Sequence, residues 1–191
     1  MRIIKSINQT CFICGEVHNL LSIQETTVGY YKGVEIVYDG VFDFCDRANE
    51  MYESGEWMSA NRLSMIDVYR KKVGLLSSKQ IIAIRDHYKI SQKDFAEVSE
   101  WGLATITRYE NYQVQDRIHD DVLRKLDEDP LWFIQLLKRS KEKFSEKTYQ
   151  KYMYAASERY EQLREHYVLN ASISLNQENL MVFETTDNDI G

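Results

Sequence analysis

The stretch Ile81-Ile-Ala-Ile84-Arg85-Asp-His87-Tyr88-Lys89-Ile90-Ser91-Gln92-Lys93-Asp94-Phe95-Ala96-Glu-Val98-Ser-Glu-Trp101-Gly102-Leu103-Ala104-Thr105-Ile106-Thr107-Arg108-Tyr109-Glu110-Asn111 decides how the chain is read. Ser77-x-x-Gln80, just before it, is a capping-box pattern, and Ile81, Ile84 and Tyr88 form the apolar stripe of the helix behind it. Ser91-x-x-Asp94 caps a shorter helix that turns Phe95, Ala96 and Val98 inward. Gly102 then opens a helix over about 102–110 with Leu103 and Ile106 facing inward. Its outward residues are Ala104, Thr105, Thr107 and Arg108. Two short capped helices around a glycine-containing turn, the second polar on one side, have the layout of a DNA-reading helix-turn-helix. Arg108 is the residue type that takes guanine O6 and N7 bidentately, and a threonine can donate to phosphate or meet a thymine methyl.

Helical periodicity extends outward from this stretch in both directions. Leu63, Ile66, Tyr69 and Val73 mark a helix from about Ser59 to Gly74, and Ile118, Val122 and Leu126 mark another. Asp129-Pro130 opens a sixth helix, with Asp as N-cap and the only proline at the first helical position. A charged amphipathic stretch follows, with Tyr149, Tyr152, Ala156, Tyr160, Leu163 and Tyr167 on one face. The tail is expected to be a hairpin of 171–175 and 180–184. Toward the N-terminus the period is that of strands: Thr26 to Tyr31, Val34 to Tyr38 and Val41 to Phe44, with Lys32-Gly33 as a tight turn between the first two. The expected fold class is therefore α+β. Residues 1–57 form a small β domain, 58–140 a helix-turn-helix domain, and 141–191 a helical extension with a dimer or partner surface.

Cys11-x-x-Cys14-Gly15 has the spacing of a zinc knuckle, in which two thiolates on a tight loop reach one tetrahedral ion. A second pair is incomplete, because only Cys45 is present and Ala48 stands three residues on. His18 can complete a three-cysteine, one-histidine set, and Asp43 or Asp46 can offer an oxygen. Three readings stand open: a degenerated site of small buried residues, zinc held by Cys11, Cys14, Cys45 and His18, or a redox pair.

Composition bounds the rest. The 191 residues are 43% hydrophobic and 28% charged, which suits a globular chain with a core. No apolar run is long enough to span a membrane and no signal-peptide pattern is seen at the N-terminus, so no membrane is implied and a cytoplasmic location is expected. The formal charge of −6 argues against indiscriminate polyanion binding, yet residues 71–111 carry a net +2. Asp120-Asp121 and Asp127-Glu128-Asp129 read as solvated helix ends, and no phosphate loop or hydrolase motif occurs, so an enzyme is not expected.

The run from Ser91-Gln92 to Arg108-Tyr109-Glu110 resembles the Xre-type helix-turn-helix, in which a Gln opens the first helix and Tyr-Glu closes the second. More narrowly, residues 11–140 resemble antitoxins of the MqsA/YgiT type, which place a zinc-binding, zinc-finger-like β domain before such a motif. Met65-Ile66-Asp67-x-Tyr69-Arg70-Lys71-Lys72 and Trp101-Gly102-x-x-Thr105-x-Thr107-Arg108-Tyr109 carry that likeness. The resemblance implies a homodimeric repressor that binds palindromic double-stranded operator DNA, represses its own operon as part of a toxin–antitoxin system, and binds a protein toxin through another surface. Arg108 matches the base-reading arginine, and Ala104 stands where some members have a base-reading asparagine. Thr105, Thr107, Gln92 and Lys93 complete the expected DNA face, with Lys71, Lys72 and Lys89 available for phosphate. The alternative is a mobile-element inhibitor that binds protein and uses the helix-turn-helix only as a scaffold.

Overall fold

In a computed structural model the chain is described over residues 1–186, with side chains as far as Leu169. Among the described residues the fold is α+β: a four-stranded antiparallel sheet followed by seven α-helices. Strands β1 (Arg2–Thr10), β2 (Val17–Tyr31), β3 (Val34–Cys45) and β4 (Glu50–Tyr52) lie in sequential order. They are followed by α1 (Gly55–Lys72), α2 (Ser78–His87), α3 (Gln92–Ser99), α4 (Leu103–Tyr109), α5 (Arg117–Glu128), α6 (Pro130–Arg139) and α7 (Glu146–Thr186). Contacts divide the chain into two compact units: Met1–Ala83 with Gly102–Leu123, and Ile84–Trp101 with the chain from Arg124 onward.

In the first unit β2 and β3 meet at the expected two-residue turn. Lys32 and Gly33 both have positive φ, 49° and 77°, the type I′ geometry that matches strand twist. Register follows from that turn, with Tyr31 opposite Val34 and Leu21 opposite Phe44. Helix α1 packs on β3 and is fastened to its backbone by side chains. Asn61 accepts from the Val41 amide and donates to the Val41 carbonyl, both at 2.8 Å, while Ser64 and Lys72 donate to the Asp39 and Glu35 carbonyls. At the C-terminal end of α1 the fully buried Arg70 donates to Asp67 and to the carbonyls of Tyr109 and Gln113, each at 2.7 Å. The capping box forms as a reciprocal pair, with Gln80 Oε1 accepting from the Ser77 amide and the Gln80 amide donating to Ser77 Oγ.

The second unit is helical. Tyr88 stacks on Phe133 with ring centres 3.7 Å apart and donates its hydroxyl to the Leu126 carbonyl. Asp127 receives His87 at 2.9 Å and Arg159 at 3.0 Å, and the Tyr152 hydroxyl donates to Asp94 at 2.6 Å. Asp129 caps α6 by accepting from the Trp132 amide, and Ser91 caps α3 by accepting from the Asp94 amide.

Four local expectations are corrected. The chain is helical through Thr186, so the hairpin expected over 171–184 does not form; residues 187–191 lie outside the described part. Asp120 is no solvated helix end: it is 0% exposed and accepts from the Leu76 amide and Gln115 Nε2, both at 2.8 Å. Ile118, counted in the apolar spacing that marks α5, is 76% exposed, and the buried apolar face of that helix is carried by Leu123 and Leu126. Leu103, expected inward on α4, is 49% exposed, leaving Ile106 and Tyr109 as that helix's anchors.

Candidate metal centre

The site is built at one end of the sheet. Between β1 and β2 the chain turns at residues 11–16, where the Cys11 amide donates to the Glu16 carbonyl and the Gly15 amide to the Cys11 carbonyl. Gly15, at φ 74°, takes the left-handed conformation that lets this loop fold back and hold Cys11 and Cys14 together. The other two groups arrive by strand geometry. His18 and Leu20 point to the same buried face of β2, because successive residues of a strand alternate sides. The pairing of Leu21 with Phe44 brings Cys45, the last residue of β3, to that face.

As a result the ligand atoms of Cys11, Cys14, His18 and Cys45 all lie within 4.8 Å of one another. Cys11, Cys45 and His18 are buried and Cys14 is half-buried. His18 Nε2 is 3.8 Å from Cys45 Sγ. A tetrahedral zinc ion holds sulfur and nitrogen donors roughly 3.5–3.8 Å apart, so this edge is already at the required length and no other exceeds it by more than about 1 Å. Three thiols and an imidazole are the donor chemistry that zinc favours. The residues therefore fit the ion, and they could hold one. Asp43 is engaged elsewhere, since it is buried and accepts from Ser22 Oγ at 2.6 Å and Trp57 Nε1 at 3.1 Å. Asp46 lies outside the four-residue cluster and meets His18 Nδ1 at 3.1 Å.

The surroundings favour ionised sulfur at Cys11. Burial raises its pKa, but the Cys14 amide, His18, the Ile13 amide and Cys45 oppose burial and prevail, bringing the thiol from 9.0 down to about 6. Cys45 moves the other way, pushed up by burial against the Ala48 amide, which donates to its sulfur at 3.4 Å. The hydrogen bond with Cys11 raises His18 above its ordinary value, with burial opposing and Asp46 assisting. The turn at residues 45–48 thus also carries an amide-to-sulfur bond, with alanine at residue 48. His18 enters from β2.

The expected DNA-facing residues divide between the two units. On α4, Ala104 and Arg108 are exposed and Thr105 and Thr107 half-buried, with Thr107 Oγ1 donating to the Leu103 carbonyl. On α3, Lys93 is exposed and Gln92 half-buried. Residues 100–102 separate the two helices. Among the described residues no helix is long and apolar enough to cross a membrane. No family model, curated protein or solved structure is found to match the chain.

Proposed function

We propose that the chain is a sequence-specific DNA-binding regulator of the antitoxin type, an Xre-like helix-turn-helix protein with a zinc-bearing β module of MqsA/YgiT character. The observation that carries this reading is the face of α4. Ile106 and Tyr109 anchor the helix, and Ala104 and Arg108 stand exposed with Thr105 and Thr107 beside them. A short helix held by two apolar anchors, with a small residue and an arginine outward, suits insertion into a major groove. In the chain the capped α3 precedes α4 by three residues that include Gly102, which is the sequence order of such a motif, and Lys93 is a residue type suited to phosphate. Cys11, Cys14, Cys45 and His18 would hold the zinc. There the ion supplies structural cross-linking: it ties the β1–β2 turn to the end of β3, which a small module needs when its buried cluster at that end is only Cys11, Leu20 and Cys45.

A homodimer on a palindromic operator, repression of the chain's own operon and a toxin partner belong to this reading.

Fluorescence anisotropy against a duplex from upstream of the chain's own gene and a scrambled duplex tests the proposal. The upstream duplex binds more tightly, both affinities fall steeply between about 50 and 200 mM salt, and Arg108→Ala weakens the specific complex roughly 5- to 150-fold. Lys93→Ala weakens both duplexes alike. Equal binding by Arg108→Ala and the parent removes α4 as the reading helix. Absence of binding to either duplex at low salt leaves the inhibitor reading in its place.

A further inference from the structure

We infer that Asp46 is the outer carboxylate of the metal centre: its charge, 3.1 Å behind Nδ1, favours the His18 ring with the proton on Nδ1, which leaves Nε2 to the cluster. The inference rests on the zinc reading above and concerns a residue outside the ligand set. His18 is 8% exposed, and its two ring nitrogens have distinct surroundings. Nε2 points to Cys45 Sγ at 3.8 Å. Nδ1 lies 3.1 Å from an Asp46 carboxylate oxygen and 3.3 Å from the Asn19 carbonyl oxygen. Both neighbours of Nδ1 are acceptors only, so Nδ1 carries the proton and Nε2 is left as the metal-binding atom. A carboxylate behind a ligating imidazole also raises the basicity of the nitrogen that binds the ion. Asp46 is well placed to act this way, since it directly follows Cys45 and the turn that presents the sulfur also presents the carboxylate.

The side chain of Asp46 is 64% exposed, so its removal opens no cavity and leaves the fold intact. The Asn19 carbonyl remains behind the ring in any Asp46 variant. Losing the carboxylate therefore lowers metal affinity without changing the ligand set.

Cobalt(II) titration of the full-length reduced chain, with zinc as competitor, reads both effects. The parent gives the visible spectrum of a tetrahedral thiolate-rich centre, bleached by zinc. Asp46→Ala gives the same spectrum with affinity reduced about tenfold, the lower end of the usual outer-shell effect. Asp46→Asn, which keeps the shape and loses the charge, falls with Asp46→Ala, and Glu50→Gln, a charge control on β4, is unchanged. Nitrogen-resolved NMR of the zinc-loaded parent finds His18 with its proton on Nδ1. Superimposable titrations of Asp46→Ala and the parent, a loss equalled by Glu50→Gln, or a His18 proton on Nε2 overturns the role of Asp46 while the zinc reading stands. A parent that takes up neither cobalt nor zinc overturns both.

Discussion

Arg70 is a charged residue with no exposure to water, and its position is explained by what it joins. One terminal guanidinium nitrogen meets Asp67 on the same helix and the other terminal nitrogen meets the carbonyls of Tyr109, the last residue of α4, and of Gln113 beyond it. Asp67 in turn accepts from the amide and hydroxyl of Ser78, the first residue of α2. A buried charge pair adds little net stability as a whole, but removal of one partner is costly because the other loses its compensation. Arg70→Ala is expected to lower unfolding stability by about 3 kcal/mol, read as a shift in the urea midpoint. A loss below about 1 kcal/mol would show that water replaces the guanidinium easily. Sequence shows only the i,i+3 spacing of Asp67 and Arg70, since the carbonyl acceptors stand 39 and 43 residues away. The cysteines are more legible. Cys11-x-x-Cys14 and the following glycine announce a knuckle by themselves, whereas His18 and Cys45 join it only through a strand register that spacing alone does not determine. Asp46 is legible as a nearby oxygen, and its direction toward His18 Nδ1 is not.

Among the elements, those with short-range signals are read most directly. Capping residues act within one turn, so Ser77, Ser91 and Asp129 mark helix starts that the structure contains. The Lys32-Gly33 turn is equally legible, because a two-residue loop between alternating runs has few geometries available. That turn makes its own prediction. Lys32 sits at φ 49°, a conformation that costs an ordinary L-residue and that asparagine tolerates. Lys32→Asn should therefore stabilise the protein by roughly 0.5–1 kcal/mol, and Gly33→Ala should destabilise it by about 1–2 kcal/mol, both by thermal unfolding. If the two variants shifted stability in the same direction, the positive-φ argument would fail. Strand β1 escapes sequence reading because its residues, nearly all exposed, lack the alternation that reveals a buried face. The end of α7 misleads for the converse reason. Ala171-Ser-Ile-Ser-Leu175 alternates like a strand, but over five residues alternation does not exclude a helix, and the run follows a long helix with no glycine or proline to stop it.

Across the whole molecule, charge and ionisable burial are unevenly distributed. Residues 71–111, which contain α4, carry a net +2, while residues 1–70 and 168–191 each carry −4. Operator affinity should consequently depend on a few placed contacts more than on bulk attraction. Buried hydroxyls are prominent in the second unit, and they limit the pH range in which it is stable. Burial raises Tyr88, and burial followed by the hydrogen bond to Asp94 pushes Tyr152 from 10.0 up to about 12. Between those two values the unfolded chain releases the Tyr152 proton and the folded chain keeps it. The folded state then binds more protons than the unfolded one, so stability falls as pH rises. The contribution is fully present below pH 10.0 and is lost as pH climbs toward about 12, for at most about 2–3 kcal/mol from this residue. Tyr152→Phe removes that slope, because phenylalanine has no proton to lose. It also removes the bond to Asp94, at a cost of about 1–2 kcal/mol at neutral pH. Urea unfolding of the parent and variant across this range should give two curves that converge as pH rises. Parallel curves would mean that Tyr152 ionises in the folded protein as readily as in the unfolded chain, and that its bond to Asp94 does not hold the proton.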